Sequence, residues 1–184
     1  QDLKSVYIDL NDINAYASYV NSIGGNIRLE VGEQDSLTYI AAEKLFMRGD
    51  NDGARRSLIN YLQTFPEGAF SSNANFYLGS IAFAKKEFDE AIQRFKSVIA
   101  SGDTKFLEES VARTAEIEYL SKDYPAALES FKRLQIVAEN PENRQAARLG
   151  IMRCALQTGQ QKDALLAADE LLKEPKLSPE LEAE

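Results

Sequence analysis

The sequence predicts an all-α fold, a solenoid of stacked antiparallel helix pairs. Three observations predict it. First, one apolar pattern recurs in phase four times, in Leu45–Leu62, Ala82–Ile99, Glu118–Gln135 and Ala155–Leu172. Second, each copy is split by a short polar turn into two segments with helical apolar spacing. Third, one small residue holds its place in every copy: Ala54, Ala91, Ala127 and Ala164, at steps of 37, 36 and 37 residues.

The elements follow in chain order. Residues 1–25 contain LKSVYIDLNDINAYASYVNSIGG, which has the same two-helix shape. Asn11-Asp12 forms its turn, and Tyr7, Ile13, Tyr16 and Val20 face inward. It lacks the tight alanine and reads as a degenerate N-terminal helix pair. Residues 26–34 read as an extended linker, because Ile27, Leu29 and Val31 alternate with polar residues. A strand that pairs with another chain is the alternative for this stretch.

Residues 35–178 hold the four copies, starting near Asp35, Ser72, Glu108 and Gln145. In each copy the alanine is small because the second helix crosses close to the first there, and a larger side chain would overpack the crossing. Four residues on, Leu58, Phe95, Phe131 and Ala168 lie on the same helix face and fill the core. Residues 179–184 read as the start of a further helix: Ser178 can cap it, Pro179 suits its first position, and Glu180 and Glu182 favour its first turn. With no initiator Met and this helix cut short, the chain reads as a piece of a longer protein.

Arg48-Gly49-Asp50-Asn51-Asp52-Gly53 admits an adhesion motif, a calcium loop or a plain turn. A calcium loop from Asp50 requires Gly at its sixth place and Glu at its twelfth, which hold Arg55 and Tyr61. The stretch instead aligns with the turns before Ala91, Ala127 and Ala164, so it reads as the inter-helix turn of the first copy.

Composition narrows the function. The formal charge is −8, which repels phosphate backbones and argues against nucleic acid as a partner. No apolar run reaches the roughly 20 residues that cross a membrane. There is no His and a single Cys, Cys154. This removes Ser-His-Asp and Cys-His catalysis, the commonest metal ligand and any internal disulfide. No cofactor, metal or catalytic group is expected.

The recurring pattern resembles the tetratricopeptide repeat (TPR). Leu78-Gly79 in FYLGSIAF stands at the family's early Leu-Gly, the alanines and Phe95 and Phe131 at its second-helix pattern, and Pro66 at its late proline. Met152 and Ala168 depart from the pattern in the fourth copy. The long connections, such as TFPEGAFSSNANFYLG, are similar to those of bacterial envelope TPR proteins such as the Tol-Pal coordination protein and the outer-membrane barrel-assembly lipoprotein. The resemblance implies a right-handed superhelix, a non-enzymatic scaffold for proteins or peptides, and a periplasmic or outer-membrane-associated setting, with the cytoplasm as the alternative.

The resemblance also implies a concave groove lined by the second, fifth, ninth and twelfth residues of each first helix. These are Ser36, Tyr39, Glu43 and Phe46; Asn73, Phe76, Ser80 and Phe83; Glu109, Ala112, Glu116 and Tyr119; and Ala146, Leu149, Arg153 and Leu156. The candidate partner-binding set is Tyr39, Glu43, Phe46, Phe76, Ser80, Phe83, Glu116, Tyr119 and Arg153, an aromatic stripe with mildly acidic flanks. Core packing is the competing role for these aromatics. Glu43 and Glu116 stand where a carboxylate-gripping TPR groove carries cations or amides, which argues against such a grip. Two other roles compete with peptide binding. One is a purely structural spacer within a larger cell-envelope assembly. The other is catalysis by Glu43 and Glu116, which lie two repeats apart with no nucleophile beside them. Weak self-association through apolar Leu165 and Leu172 is a further expectation.

Overall fold

The computed structural model describes residues 2–23 and 29–173. Among them are ten helices and no strand. They run α1 (Leu3–Asp9), α2 (Ile13–Ser22), α3 (Val31–Met47), α4 (Asn51–Thr64), α5 (Ser71–Ala84), α6 (Phe88–Ser101), α7 (Leu107–Leu120), α8 (Tyr124–Val137), α9 (Pro141–Gln157) and α10 (Gln161–Leu171). The chain divides into two compact units, residues 1–94 and 95–184, with the boundary inside α6.

One turn geometry joins the helices of every pair. A residue with left-handed backbone closes the first helix: Asn11 (φ 55°), Gly49 (81°), Lys86 (61°), Lys122 (61°) and Gly159 (73°). The amide after each of these reaches back to the first helix, as in Asp50 N to Leu45 O (3.0 Å), Asp123 N to Glu118 O (2.9 Å) and Gln160 N to Ala155 O (2.8 Å). This is the Schellman closure, which satisfies carbonyls the helix leaves unpaired. In three of the pairs an acidic side chain then opens the second helix: Asp12 accepts from Ala15 N (3.0 Å), Asp50 from Gly53 N (2.9 Å) and Asp123 from Ala126 N (3.3 Å). Asp50 is thus engaged as a helix cap, consistent with the turn reading of Arg48–Gly53.

The repeated alanines sit where the helices cross: Ala54, Ala91 and Ala127 are fully buried and Ala164 nearly so. Leu58 and Phe95 beyond them are fully buried. In the first unit, one core joins Leu58 and Tyr61 of α4 to Tyr39, Leu78 and Ile81, and a smaller one joins Ile8 and Ile13 to Leu37 and Ala41. In the second unit, one core gathers Val111, Leu128, Phe131, Leu134, Ile151 and Leu171.

The extended linker is corrected at its C-terminal end. Val31–Gln34 form the first turn of α3, which starts after Glu30 and carries Glu33 where the helix dipole favours negative charge. Three alternating apolar residues were too short a pattern to separate strand from helix start. Residues 24–28 of that linker, and the helix start expected at 179–184, lie outside the described residues.

Side chains one repeat apart stitch neighbouring pairs. Arg55 pairs with Glu87 (2.7 Å) and Glu90, Lys85 with Asp52 (2.5 Å), and Lys132 with Asp163 (2.7 Å). Glu108 caps α9 from α7, accepting from the amides of Glu139 (2.9 Å) and Asn140 (3.1 Å) and from Asn143 Nδ2 (2.7 Å). Burial alone would raise its pKa, but these donors outweigh it and hold the carboxyl below the ordinary range.

Candidate protein-binding surface

The expected groove residues fall into two groups, one per unit, with different chemistry.

In the first unit Tyr39 and Asn73 belong to the interior and the others are partly buried. Tyr39 is 2% exposed, so it is not an exposed anchor. Its ring lies flat on Phe70 with centroids 4.4 Å apart and edge-on to Tyr61 at 5.8 Å. Its hydroxyl donates to Glu43 Oε1 (2.6 Å) and accepts from Asn73 Nδ2 (3.1 Å). Tyr77 also donates to Glu43 Oε1 (3.0 Å). Glu43 is therefore the shared acceptor of two phenols and not a carboxylate held out to repel ligands. Burial raises the pKa of both phenols, and the neighbouring carboxylate adds to the shift. Phe46 is half-buried against Tyr77 (4.6 Å), Phe76 packs beside the same ring (5.8 Å), and Phe83 meets Phe88 (6.1 Å). Ser80 donates to the carbonyl of Phe76 (2.9 Å). The core reading wins for Tyr39 because a connection of extra residues brings Phe70 over it. That connection is also pinned by Asp35, which is 8% exposed and accepts from Tyr61 Oη (2.5 Å) and Ala69 N (2.9 Å).

In the second unit, Glu116, Tyr119 and Arg153 come together. They line a pocket of about 300 Å³ between α7 and α9. Glu109, Ala112, Ala146 and Leu149 line it too, whereas Leu156, the twelfth residue of the fourth copy, does not. The walls are mainly apolar, with Tyr119, Leu120, Phe131 and Leu134 contributing ring and aliphatic surface. Phe131 reaches the pocket because Gly150 stands opposite; a Cβ there would overlap the ring. Tyr119 meets Phe131 edge-on at 6.4 Å and Tyr124 at 5.7 Å, so the aromatic wall is braced.

Sequence reasoning missed Arg113. It pairs with Glu109 (2.8 Å) and Glu116 (3.0 Å) on its own helix. Burial alone would lower its pKa, and the two carboxylates outweigh that and raise it. With Arg153, the pocket rim carries two cations and two carboxylates. The mildly acidic flank is corrected to a balanced one here. The spacing Glu109–Arg113–Glu116, four then three, was the available signal. Glu43 and Glu116 belong to different units and are each engaged by local donors, which gives a catalytic pairing no support. Among the described residues, no group of His, Cys, Asp or Glu is arranged to hold a metal, and no helix is long and apolar enough to cross a membrane.

Residues 41–104 match the family model for the tetratricopeptide repeat. No curated protein matches significantly in sequence. Among solved structures, a MamA crystal structure aligns at TM-score 0.59 and 16% identity, covering 94% of each chain. MamA from AMB-1 aligns at TM-score 0.64 and 14% identity, covering 98% of this chain and 92% of its own. A Podosopora anserina kinesin-light-chain-type protein with nearly identical TPR-like repeats aligns at TM-score 0.54 and 14% identity, covering 92% and 89%. The chain thus has an all-α fold of the tetratricopeptide-type solenoid kind, and residues 41–104 match that family's sequence.

Proposed function

We propose that this chain is a non-enzymatic scaffold that holds a peptide or protein segment against the α7/α9 face of its second unit. The observation that carries this reading is the pocket there. It combines an apolar interior, an aromatic wall and four charged groups at the rim, the mixture that gives an anchor side chain both burial and orientation. The balanced rim favours a segment with an aliphatic or aromatic anchor, and either sign of charge beside it finds a counter-ion. A cell-envelope setting for the scaffold rests on the likeness of its long inter-repeat connections to envelope proteins.

Selection from a displayed library of random peptides tests the reading. Selected peptides should lose at least tenfold in affinity against Tyr119→Ala, the loss of one well-packed anchor contact. Ala146→Asp, a change at an exposed wall position, should weaken them similarly without changing the melting temperature. Peptides that bind both variants as well as the parent would place the contact elsewhere.

A further inference from the structure

A second recess lies on another face of the same unit. It measures about 410 Å³ and sits between α6 and α8, with α7 beneath. Ile99, Ala100 and Val111 give it an apolar lining, and Thr114 and Ser130 add hydroxyls. Lys96 stands on the α6 side and Arg133 on the α8 side. None of these residues lines the α7/α9 pocket.

The charges here run against the whole. The chain carries a formal −8, yet the two charged residues lining this recess are both cationic. Lys96 is held by Glu118 (3.0 Å), a carboxylate that is 5% exposed and also accepts from Ser130 Oγ (2.5 Å). The pair orients the Lys96 and Ser130 side chains. Arg133 is exposed and has no ion-pair partner among the described residues. One turn further along α8, Ile136 is 84% exposed. It stands three residues from Arg133, which places both on one helix face.

We propose that this α6/α8 face docks a second protein segment, acidic and aliphatic in character. An acidic side chain of the segment meets Arg133, and an aliphatic side chain covers Ile136 and the Ile99–Val111 lining. Charge complementarity decides the sign, since Lys96 is already held by Glu118 and a basic segment would face Arg133, which has no carboxylate partner among the described residues. The apolar lining and Ile136 decide the class, since a small free anion would leave that surface uncovered. The chain would then join two partners, one on each face of the unit.

The test uses the whole chain and two synthetic fluorescent probes. One is a 14-residue helical peptide with Glu and Leu at three- and four-residue spacing; the other replaces each Glu with Lys. Anisotropy should show binding of the Glu peptide at least tenfold tighter than the Lys peptide, weakening as salt rises. Arg133→Glu and Ile136→Ser, both at exposed positions, should each reduce it at least tenfold with unchanged melting. Tyr119→Ala should leave it unaffected, so the outcome is separable from that of the α7/α9 pocket. Equal binding of the two peptides, insensitivity to Arg133→Glu, or complete displacement by millimolar inorganic phosphate would each overturn the proposal.

Discussion

The hydroxyl of Tyr77 donates to Glu43 Oε1 across 3.0 Å, and the hydroxyl of Tyr39 donates to the same oxygen across 2.6 Å. Tyr77 and Glu43 are 34 residues apart, about one repeat. The carboxylate thereby ties α3 to α5 and gives two buried phenols a shared charged acceptor.

Glu43→Ala removes that acceptor. Two buried hydroxyls lose this charged acceptor, and a hydrogen bond to a charged group contributes about 1.5–3 kcal/mol. The variant should lose about 2 kcal/mol or more in urea denaturation. Its circular dichroism should stay helical, and binding of peptides selected on the α7/α9 pocket should persist. Stability equal to the parent would show that water replaces the network.

Stability should fall in alkali. Burial pushes the Cys154 thiol up from 9.0 to about 11 and raises Tyr39, Tyr61 and Tyr77 above their ordinary 10.0. In each case the folded state holds the proton more tightly than the unfolded state. The contribution is complete below the unfolded pKa and declines as pH rises above it toward the folded pKa. Urea midpoints should therefore be flat to about pH 8.5 and drop progressively from about pH 9 upward, first through the thiol and then through the phenols. Cys154→Ala should delay the onset. A midpoint unchanged at pH 11 would contradict this arrangement.

Lys86→Gly and Lys122→Gly should stabilise the protein. Both lysines hold φ of 61°, a backbone region that costs a side-chain-bearing residue about 1–2 kcal/mol. Glycine removes that strain but adds unfolded-state freedom, so a net gain of about 0.5–1 kcal/mol each is expected. The converse changes, Gly49→Ala and Gly159→Ala, should destabilise. Thermal melts of the four single variants test both directions.

Ser110→Ala should also stabilise. Ser110 is fully buried, and its hydroxyl has no hydrogen-bond partner among the described residues. Removing it deletes a desolvated polar group at the cost of one oxygen's volume, for a gain of about 1 kcal/mol. A loss of stability on chemical denaturation would point to a buried water on that hydroxyl.

Leu165 occupies the repeat position of Leu128, yet it is 67% exposed where Leu128 is 1% exposed. Leu172, seven residues on at the C-cap of α10, is 62% exposed. In the third copy the following helix covers this position, whereas Leu165 and Leu172 leave apolar side chains exposed on α10, open to association with like surfaces. Sedimentation should show concentration-dependent association of the chain, reduced in a Leu165→Lys, Leu172→Lys double variant. Identical sedimentation of the two proteins at every concentration would remove α10 as the contact.

The sequence alone determined the helix pairs, because their determinants are local and recur. The phase of Ala54, Ala91, Ala127 and Ala164 places each crossing, and the polar turn before each alanine places each reversal. It also picked out Glu116, Tyr119 and Arg153, since residues at three- and four-residue steps share a helix face whatever surrounds it. What surrounds that face was decided by tertiary structure. Tyr39 and Ala112 hold the same place on corresponding first helices, but Phe70 stacks on the first, whereas the second lines an open pocket. No periodicity encodes that difference; it depends on the path of the 65–70 connection and on the Gly150 gap that admits Phe131. The charge of the pocket was hidden from composition alone. Composition counts Glu109 and Glu116 as two negatives; their four-then-three spacing about Arg113 signals a pairing, and the folded geometry shows Arg113 neutralising part of them from between.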